Sequence, residues 1–368
     1  MYYLSCDTQA SANESHRMES PVLTGTVAPS SGASRVTSQI RLADGSTFLA
    51  ARSISILDAA LQAQLTLDHS CRSGRCGACK TQVISGKTRL LPALKAELAI
   101  APDEARDGWI LTCAREALTD TELSAEAVPG PPSPAPRTLP CRIDTVERVA
   151  PDVLRVRLRL PPNAAFTYRP GQSIDLIGPG GLKRPYSIAN DDPADPHIEL
   201  HIRRVAGGAM SAYWFDRAQP HDLLRLHGPR GSFVLRDVAG QDLVLLATGT
   251  GYAPIRSLLG QIRRLPADQQ PARVRMFWGA RQVHELYESP QASGLDWQFV
   301  PLISGAEPAW TGARGHVQHS LLEHGFEASR CVVYACGSPA MVDGARALLA
   351  AKYLSKRRFH FDAFVAAT

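Results

Sequence analysis

The chain has 368 residues, 44% of them apolar and 20% charged, which is enough for two or three packed domains and argues against wholesale disorder. Its 40 Lys and Arg against 35 Asp and Glu leave a net charge of +5, spread along the chain without the concentrated basic patch of a nucleic-acid binder. No run approaches the roughly 18 apolar residues of a membrane span, and the first 20 residues lack a basic stretch followed by an apolar one. A cytoplasmic protein is therefore expected.

Residues 1–34 are rich in Ser, Thr and Ala without periodicity and read as a disordered tail. From residue 35, Ile40 and Leu42 alternate with polar residues, Asp44-Gly45 offers a turn, and Phe48 and Ala50 begin a return strand, which predicts a hairpin. Ser55 followed by Asp58 resembles a capping box, with Leu57, Ala60, Leu61 and Leu65 on one helical face. This first domain runs over 35–128 and ends at a proline-rich linker, 129–138, whose prolines lack the N–H that a sheet or helix requires. In 139–237, Leu154, Val156, Leu158 and Leu160 alternate with arginines, predicting an antiparallel strand with a wet face. Ile198, Leu200 and Ile202 repeat the pattern, and Pro-Gly turns suggest a small antiparallel barrel. In 238–368, a continuous apolar run at Val244–Ala247 and strand-like runs at Arg273–Trp278 and Cys331–Ala335 alternate with helical stretches, as in a parallel sheet covered on both faces.

Four of the eight cysteines share one segment in the order Cys71-x4-Cys76-x2-Cys79, then 33 residues, then Cys113. That is the plant-type 2Fe–2S spacing. Gly74 and Gly77 let the chain wrap a small cluster closely enough for backbone N–H groups to face its sulfurs. A structural zinc site would prefer two C-x2-C knuckles, and Cys76 with Cys79 forms just one.

Further on, Arg184-Pro185-Tyr186-Ser187 offers an arginine for phosphate charge and a ring for a flat heterocycle. Gly207-Gly208-Ala209-Met210-Ser211 could cradle a pyrophosphate with backbone N–H groups. Gly249-Thr250-Gly251-Tyr252-Ala253-Pro254 follows an apolar strand and opens a helix, the context of a dinucleotide loop, with Pro254 in the first helical turn. Together with Gly228-Pro229-x-Gly231-x-Phe233 and Tyr334-x-Cys336-Gly337-x-Pro339-x-Met341, these runs resemble the ferredoxin–NAD(P)H reductase superfamily over residues 36–368.

The resemblance implies a β-grasp ferredoxin domain, an antiparallel β-barrel FAD domain and a parallel α/β nicotinamide domain. It puts the cluster on Cys71, Cys76, Cys79 and Cys113. It gives Arg184, Tyr186, Arg203, Gly208, Met210 and Ser211 to FAD, and Ser187 to the flavin N5. Gly249, Thr250, Gly251, Pro254, Arg281 and Gly337 fall to the nicotinamide dinucleotide, with Cys336 near its C4. Asp362-Ala363-Phe364 is similar to the family's terminal acidic-x-Phe, whose ring covers the flavin; Phe361 is a rival for that place. Arg281 and Ser304 lie where ribose contacts are expected, no Ser-Arg pair for a 2′-phosphate is evident, and Glu307 would repel one, so NADH is expected rather than NADPH.

Electrons would then pass from NADH through FAD and the 2Fe–2S cluster to an acceptor protein. Pro140-Cys141-Arg142-Ile143-Asp144, Arg184 to Asn190, Trp310-Thr311-Gly312-Ala313 and Asp362-Ala363-Phe364-Val365 are most similar to the reductases that serve pyridoxamine-phosphate-dependent CDP-4-keto-6-deoxyglucose 3-dehydrases in 3,6-dideoxyhexose biosynthesis. The alternative acceptor is an aromatic-ring dioxygenase or multicomponent monooxygenase, and Arg72, Ser73 and Arg75 around the cysteines leave that choice open. A zinc-stabilised binding module is the alternative of another class.

Overall fold

The computed structural model describes residues 37–94, 97, 99–190, 192 and 194–365; the tail expected over 1–34 lies outside the described residues. No helix among the described residues is long and apolar enough to cross a membrane.

The first sheet grows from β1 (Thr37–Arg41) and β2 (Thr47–Ala51), the hairpin around Asp44-Gly45. Helix α1 (Ile56–Gln62) follows, capped by Ser55, whose Oγ accepts from the Asp58 N–H at 2.9 Å. Then come β3 (Lys80–Ser85), β4 (Thr88–Leu90), α2 (Pro102–Arg106), β5 (Trp109–Leu111), β6 (Arg115–Ala117) and β7 (Thr121–Leu123). The order is β2-β1-β7-β3-β5 with β1 and β7 parallel, and β4 pairs with β6 alongside. This is the β-grasp arrangement. Ile40, Phe48, Ile56, Leu57, Leu67 and Leu111 are buried together between sheet and helix.

No helix or strand forms over 124–136. The second sheet contains β8 (Arg137–Ala150), β9 (Val153–Arg159), β10 (Ser173–Ile177), β11 (Lys183–Ser187), β12 (His197–Arg203) and β13 (Leu223–Arg230), with α3 (Ala209–Asp216) between the last two. All its pairings are antiparallel, in the order β11-β10-β13-β8-β9-β12. Its two edge strands meet at a single bridge, Ile188 to Leu200. Val156, Leu158, Ile174, Leu200 and Leu226 form the buried face, to which α3 adds Met210, Tyr213 and Trp214. Each such side chain contributes about 1.5–3 kcal/mol on burial.

The opposite face of β9 differs from the wet face that alternation predicts. Arg155 pairs with Glu288 at 2.9 Å and with Glu199 at 3.7 Å, while Arg256 bonds the same two carboxylates. His201, also on β12, is buried against Tyr252 and Tyr287. Charge alternation marks a polar face, but long-range partners decide whether that face meets water.

The third sheet is parallel: β14 (Asp242–Thr248), β15 (Arg273–Ala280), β16 (Trp297–Ile303), β17 (Ala313–Arg314), β18 (Cys331–Gly337) and β19 (Phe359–Ala363), in the order β17-β16-β15-β14-β18-β19. Helices α4 (Tyr252–Arg263), α5 (Val317–Glu323) and α6 (Pro339–Ala350) cover it. Leu243 and Leu245 pack on the α4 side, and Val244 and Leu246 on the side of α5 and α6. Strand order reverses between β14 and β18, and the crevice at their carboxyl ends is where ligands bind open sheets of this kind.

Candidate functional site

The loop between α1 and β3 carries three of the four clustered cysteines. Arg72, Gly74 and Gly77 have φ of +54°, +75° and +73°, and Arg72 is tied down by Asp58. The fourth, Cys113, arrives because the β3–β5 ladder continues past Lys80 and Leu111: the Thr112 N–H donates to the Cys79 carbonyl at 3.1 Å. The thiols fall into two hydrogen-bonded pairs, Cys71 with Cys76 and Cys79 with Cys113. Within the first pair, the shared hydrogen bond lowers the pKa of Cys71 and raises that of Cys76; burial raises Cys76 further. Cys113 is lowered in the same way by Cys79, itself raised. Backbone N–H groups also favour the anions, among them that of Ser73, 3.4 Å from the Cys71 sulfur.

Two pairs of thiols, each with one easily formed thiolate and with amides directed at sulfur, suit two irons with two ligands apiece. Among the described residues no three Cys, His, Asp or Glu side chains stand as a group around a single metal position. None of the seven described cysteines is in a disulfide.

The Arg-x-Tyr-Ser run lies on β11, an edge strand of the second sheet. The Arg184 guanidinium donates to the neighbouring Lys183 carbonyl at 2.8 Å. The Tyr186 hydroxyl accepts from Trp214 Nε1 at 3.1 Å, their rings meet edge to face, and burial pushes the phenol up to about 12. Gly208 opens α3 without a side-chain cap, Met210 packs into the core under Gly178, and Ser211 Oγ accepts from the Val205 N–H at 2.8 Å. Arg203 is held by Asp152 and Glu285, both at 2.8 Å, and its guanidinium lies against Gly249.

Gly249, Thr250 and Gly251 form a buried turn between β14 and α4, with Pro254 buried in the helix's first turn. The turn faces the end of β18 at very close range. A Cβ on Gly251 would come within 2.2 Å of the Cys336 carbonyl, and one on Gly337 within 2.1 Å of Thr248 Oγ1. Both positions therefore require glycine. Cys336 is fully buried, which raises its thiol well above the ordinary range. Arg281 lies just past β15, where its N–H donates to Glu285 at 3.1 Å; Ser304 Oγ donates to the Ala280 carbonyl, and Glu307 accepts from the Val283 N–H.

Strand β19 sits beside β18 with Asp362 opposite Cys336. Phe361 faces the third sheet's core under the Arg346 guanidinium, whereas Phe364 is 37% exposed, its N–H bonded to the Gly337 carbonyl. Asp362 is buried and its pKa raised, chiefly by burial. It accepts from Ser70 Oγ at 2.6 Å and is hydrogen-bonded to Ser187. Next to Ser70, the His69 N–H donates to Ser232 Oγ at 2.7 Å and the Ser232 N–H returns to the His69 carbonyl at 3.0 Å.

Ser187, Cys336 and the approach to Cys71 thus meet at one carboxylate. Ser70, Ser232 and the Arg155–Glu288 network escaped sequence reasoning, because their partners lie tens to hundreds of residues away. In the sequence, Asp362 stands out as the first residue of the terminal Asp-Ala-Phe run. A cavity of about 470 Å³ lined by Lys80, Trp109, Arg236 and Lys356 contains none of the motif residues.

Three family models match in this order: the 2Fe-2S iron-sulfur cluster binding domain over 42–117, the oxidoreductase FAD-binding domain over 140–235 and the oxidoreductase NAD-binding domain over 245–347. The chain is 37% identical to the CDP-6-deoxy-L-threo-D-glycero-4-hexulose-3-dehydrase reductase of Yersinia pseudotuberculosis, an alignment covering 84% of this chain and 93% of that one. It is 32% identical to the reductase subunit of an Amycolatopsis aromatic O-demethylase, over 85% and 95%. An Amycolatopsis cytochrome P450 reductase structure superposes with a TM-score of 0.70 at 29% identity, covering 90% of this chain and all of the other. The chain belongs to the ferredoxin–NAD(P)H reductase superfamily, among the iron–sulfur flavoprotein reductases that carry an amino-terminal 2Fe–2S domain.

Proposed function

We propose that this NAD(P)H-dependent oxidoreductase draws on NADH and serves the pyridoxamine-phosphate-dependent CDP-4-keto-6-deoxyglucose 3-dehydrase of 3,6-dideoxyhexose biosynthesis. The observation that carries the electron route is the meeting of Ser187, Cys336 and the Ser70–Cys71 segment at Asp362. Cys71 and Cys76 would hold one iron, and Cys79 and Cys113 the other. FAD would be held along β11 and α3, where Arg184 would answer its phosphate charge, Tyr186 would lie against the flat ring, and the first N–H groups inside α3, at Ala209 and Met210, would serve the pyrophosphate. When bound, FAD and the cluster convert a two-electron donor into one-electron steps.

The chain's own part is orientation and exclusion of water. The turn at Gly249 to Gly251 and the close-packed Cys336–Gly337 corner shape the nicotinamide crevice. The uncharged Cys336 thiol keeps that crevice apolar. Ser187 would offer a hydroxyl at the flavin's reactive edge, and the exposed Phe364, rather than the core-packed Phe361, would cover the ring. Glu285 and Glu307 beside Arg281 disfavour a 2′-phosphate, which supports NADH over NADPH.

The sugar pathway rests on the similarity to the Yersinia reductase. Anaerobic NADH oxidation with the purified dehydrase, pyridoxamine phosphate and CDP-sugar is expected to yield 3-deoxy product when both proteins are present, with NADPH slower at equal concentration. Brisk cytochrome c reduction without product would exclude this acceptor. It would instead support an oxygenase partner, the reading favoured by the superposition on the P450 reductase.

A further inference from the structure

The Ser70 hydroxyl has no role in the cofactor assignments, yet it makes one of the longest-range polar contacts in the chain. It donates to Asp362 at 2.6 Å across 292 residues of sequence. Asp362 is also hydrogen-bonded to Ser187 and stands beside Cys336 in the β18–β19 ladder. Immediately before Ser70, two bonds fasten His69 to Ser232, two residues past β13 of the second sheet. Immediately after it comes Cys71.

A surface contact between domains would be exposed and exchangeable. Here Asp362, His69 and Ser232 are each buried to more than nine-tenths, so an unmade bond would leave a desolvated polar group without a partner. The three bonds hold the segment leading to Cys71 from two sides, one on each of the other domains.

We propose that Ser70 is a positioning residue: through Asp362 it registers the cysteine loop against Ser187, and so sets the separation between the flavin edge and the cluster. The proposal rests on the cofactor placement given above and adds no redox step of its own. Electrons still come from the nicotinamide donor and still leave through the cluster. What the Ser70–Asp362 bond fixes is how far apart the two groups stand, and a misplacement of about 1 Å in such a geometry costs up to about 100-fold in rate.

The test uses the intact holoenzyme carrying Ser70→Ala, with Ser70→Thr as the rescue and Asp362→Asn as a second variant remote in sequence from the cysteines. Iron, sulfide and FAD contents and the visible and EPR spectra are measured first. A wild-type preparation lacking cluster or FAD would defeat the cofactor placement itself, separately from the proposal. In Ser70→Ala with wild-type spectra, bleaching of the cluster after mixing with NADH is expected to slow about 10-fold or more. Two-electron dye reduction should change less than about 2-fold, amide exchange over residues 68–71 and 359–363 should rise, and Ser70→Thr should restore both. Unchanged cluster bleaching with normal spectra would overturn the proposal, as would equal slowing of dye reduction. If Ser70→Ala fails to assemble its cluster, Asp362→Asn decides: normal bleaching there overturns it, and slowed bleaching with raised exchange over 68–71 supports it.

Discussion

Single residues carry unequal shares of this molecule, and the cysteines show it best. Cys113 is bonded to Cys79 and takes no part in the second or third sheet. Replacing it by serine removes one of the four proposed ligands and breaks the Cys79–Cys113 thiol pair. Cys113→Ser is therefore expected to lose or destabilise the cluster, read as lost visible absorbance and iron. FAD content and NADH oxidation by a two-electron dye should stay near wild type. Collapse of dye reduction as well would mean that the three domains do not work as separable units. Cys336 contrasts with these four. It is fully buried, it has no thiol partner, and burial disfavours its anion.

At the scale of elements, β19 carries a titratable histidine as well as Asp362. His360 on it is half-buried against the Tyr334 ring, 4.8 Å between centroids, and burial with the nearby Arg236 charge lowers its pKa from 6.5 to about 4. Above pH 6.5 the ring is neutral in both folded and unfolded chains, so its burial carries no protonation cost. Between pH 6.5 and 4 the unfolded chain takes up a proton that the folded chain refuses, and stability falls. The loss by pH 5 is about 2 kcal/mol. His69 and His201, buried and lowered likewise, act in the same direction. The urea midpoint is thus expected to drop between pH 7.5 and 5, and His360→Phe to drop measurably less; an equal drop would assign the acid sensitivity elsewhere.

Elements of this kind were legible where the signal is local. The hairpin at Asp44-Gly45, the Ser55 cap, the runs of β14 and β18 and the cysteine spacing all announce themselves within a dozen residues. The buried ion network on β9 and β12 did not, because Glu288 and Arg256 meet those strands after the chain has folded back from the third sheet. Nor could spacing tell Phe361 from Phe364; packing against α6 separates them.

For the molecule as a whole, the question is what fastens the first sheet to the other two. Arg357 pairs with Glu126 at 2.5 Å, but its side chain is 71% exposed, and such pairs are worth about 0–1 kcal/mol. The His69–Ser232 exchange is buried, and removing the hydroxyl strands an N–H at a cost of about 1–3 kcal/mol. Ser232→Ala should therefore raise amide exchange over residues 68–71 by 5-fold or more, about 1 kcal/mol or above, while Arg357→Ala changes it by less than about 2-fold. The reverse ranking would make surface charge the fastening. One consequence of the Ser70–Asp362 bond concerns biosynthesis. The ribosome makes the cysteine domain first and β19 nearly 300 residues later, so through most of translation the iron-binding loop has no carboxylate to meet. The Ser70 hydroxyl finds its acceptor when the sixth strand of the last sheet is laid down. Until then the cysteine loop is held to the rest of the chain by the His69–Ser232 exchange, whose partner is made well before Asp362.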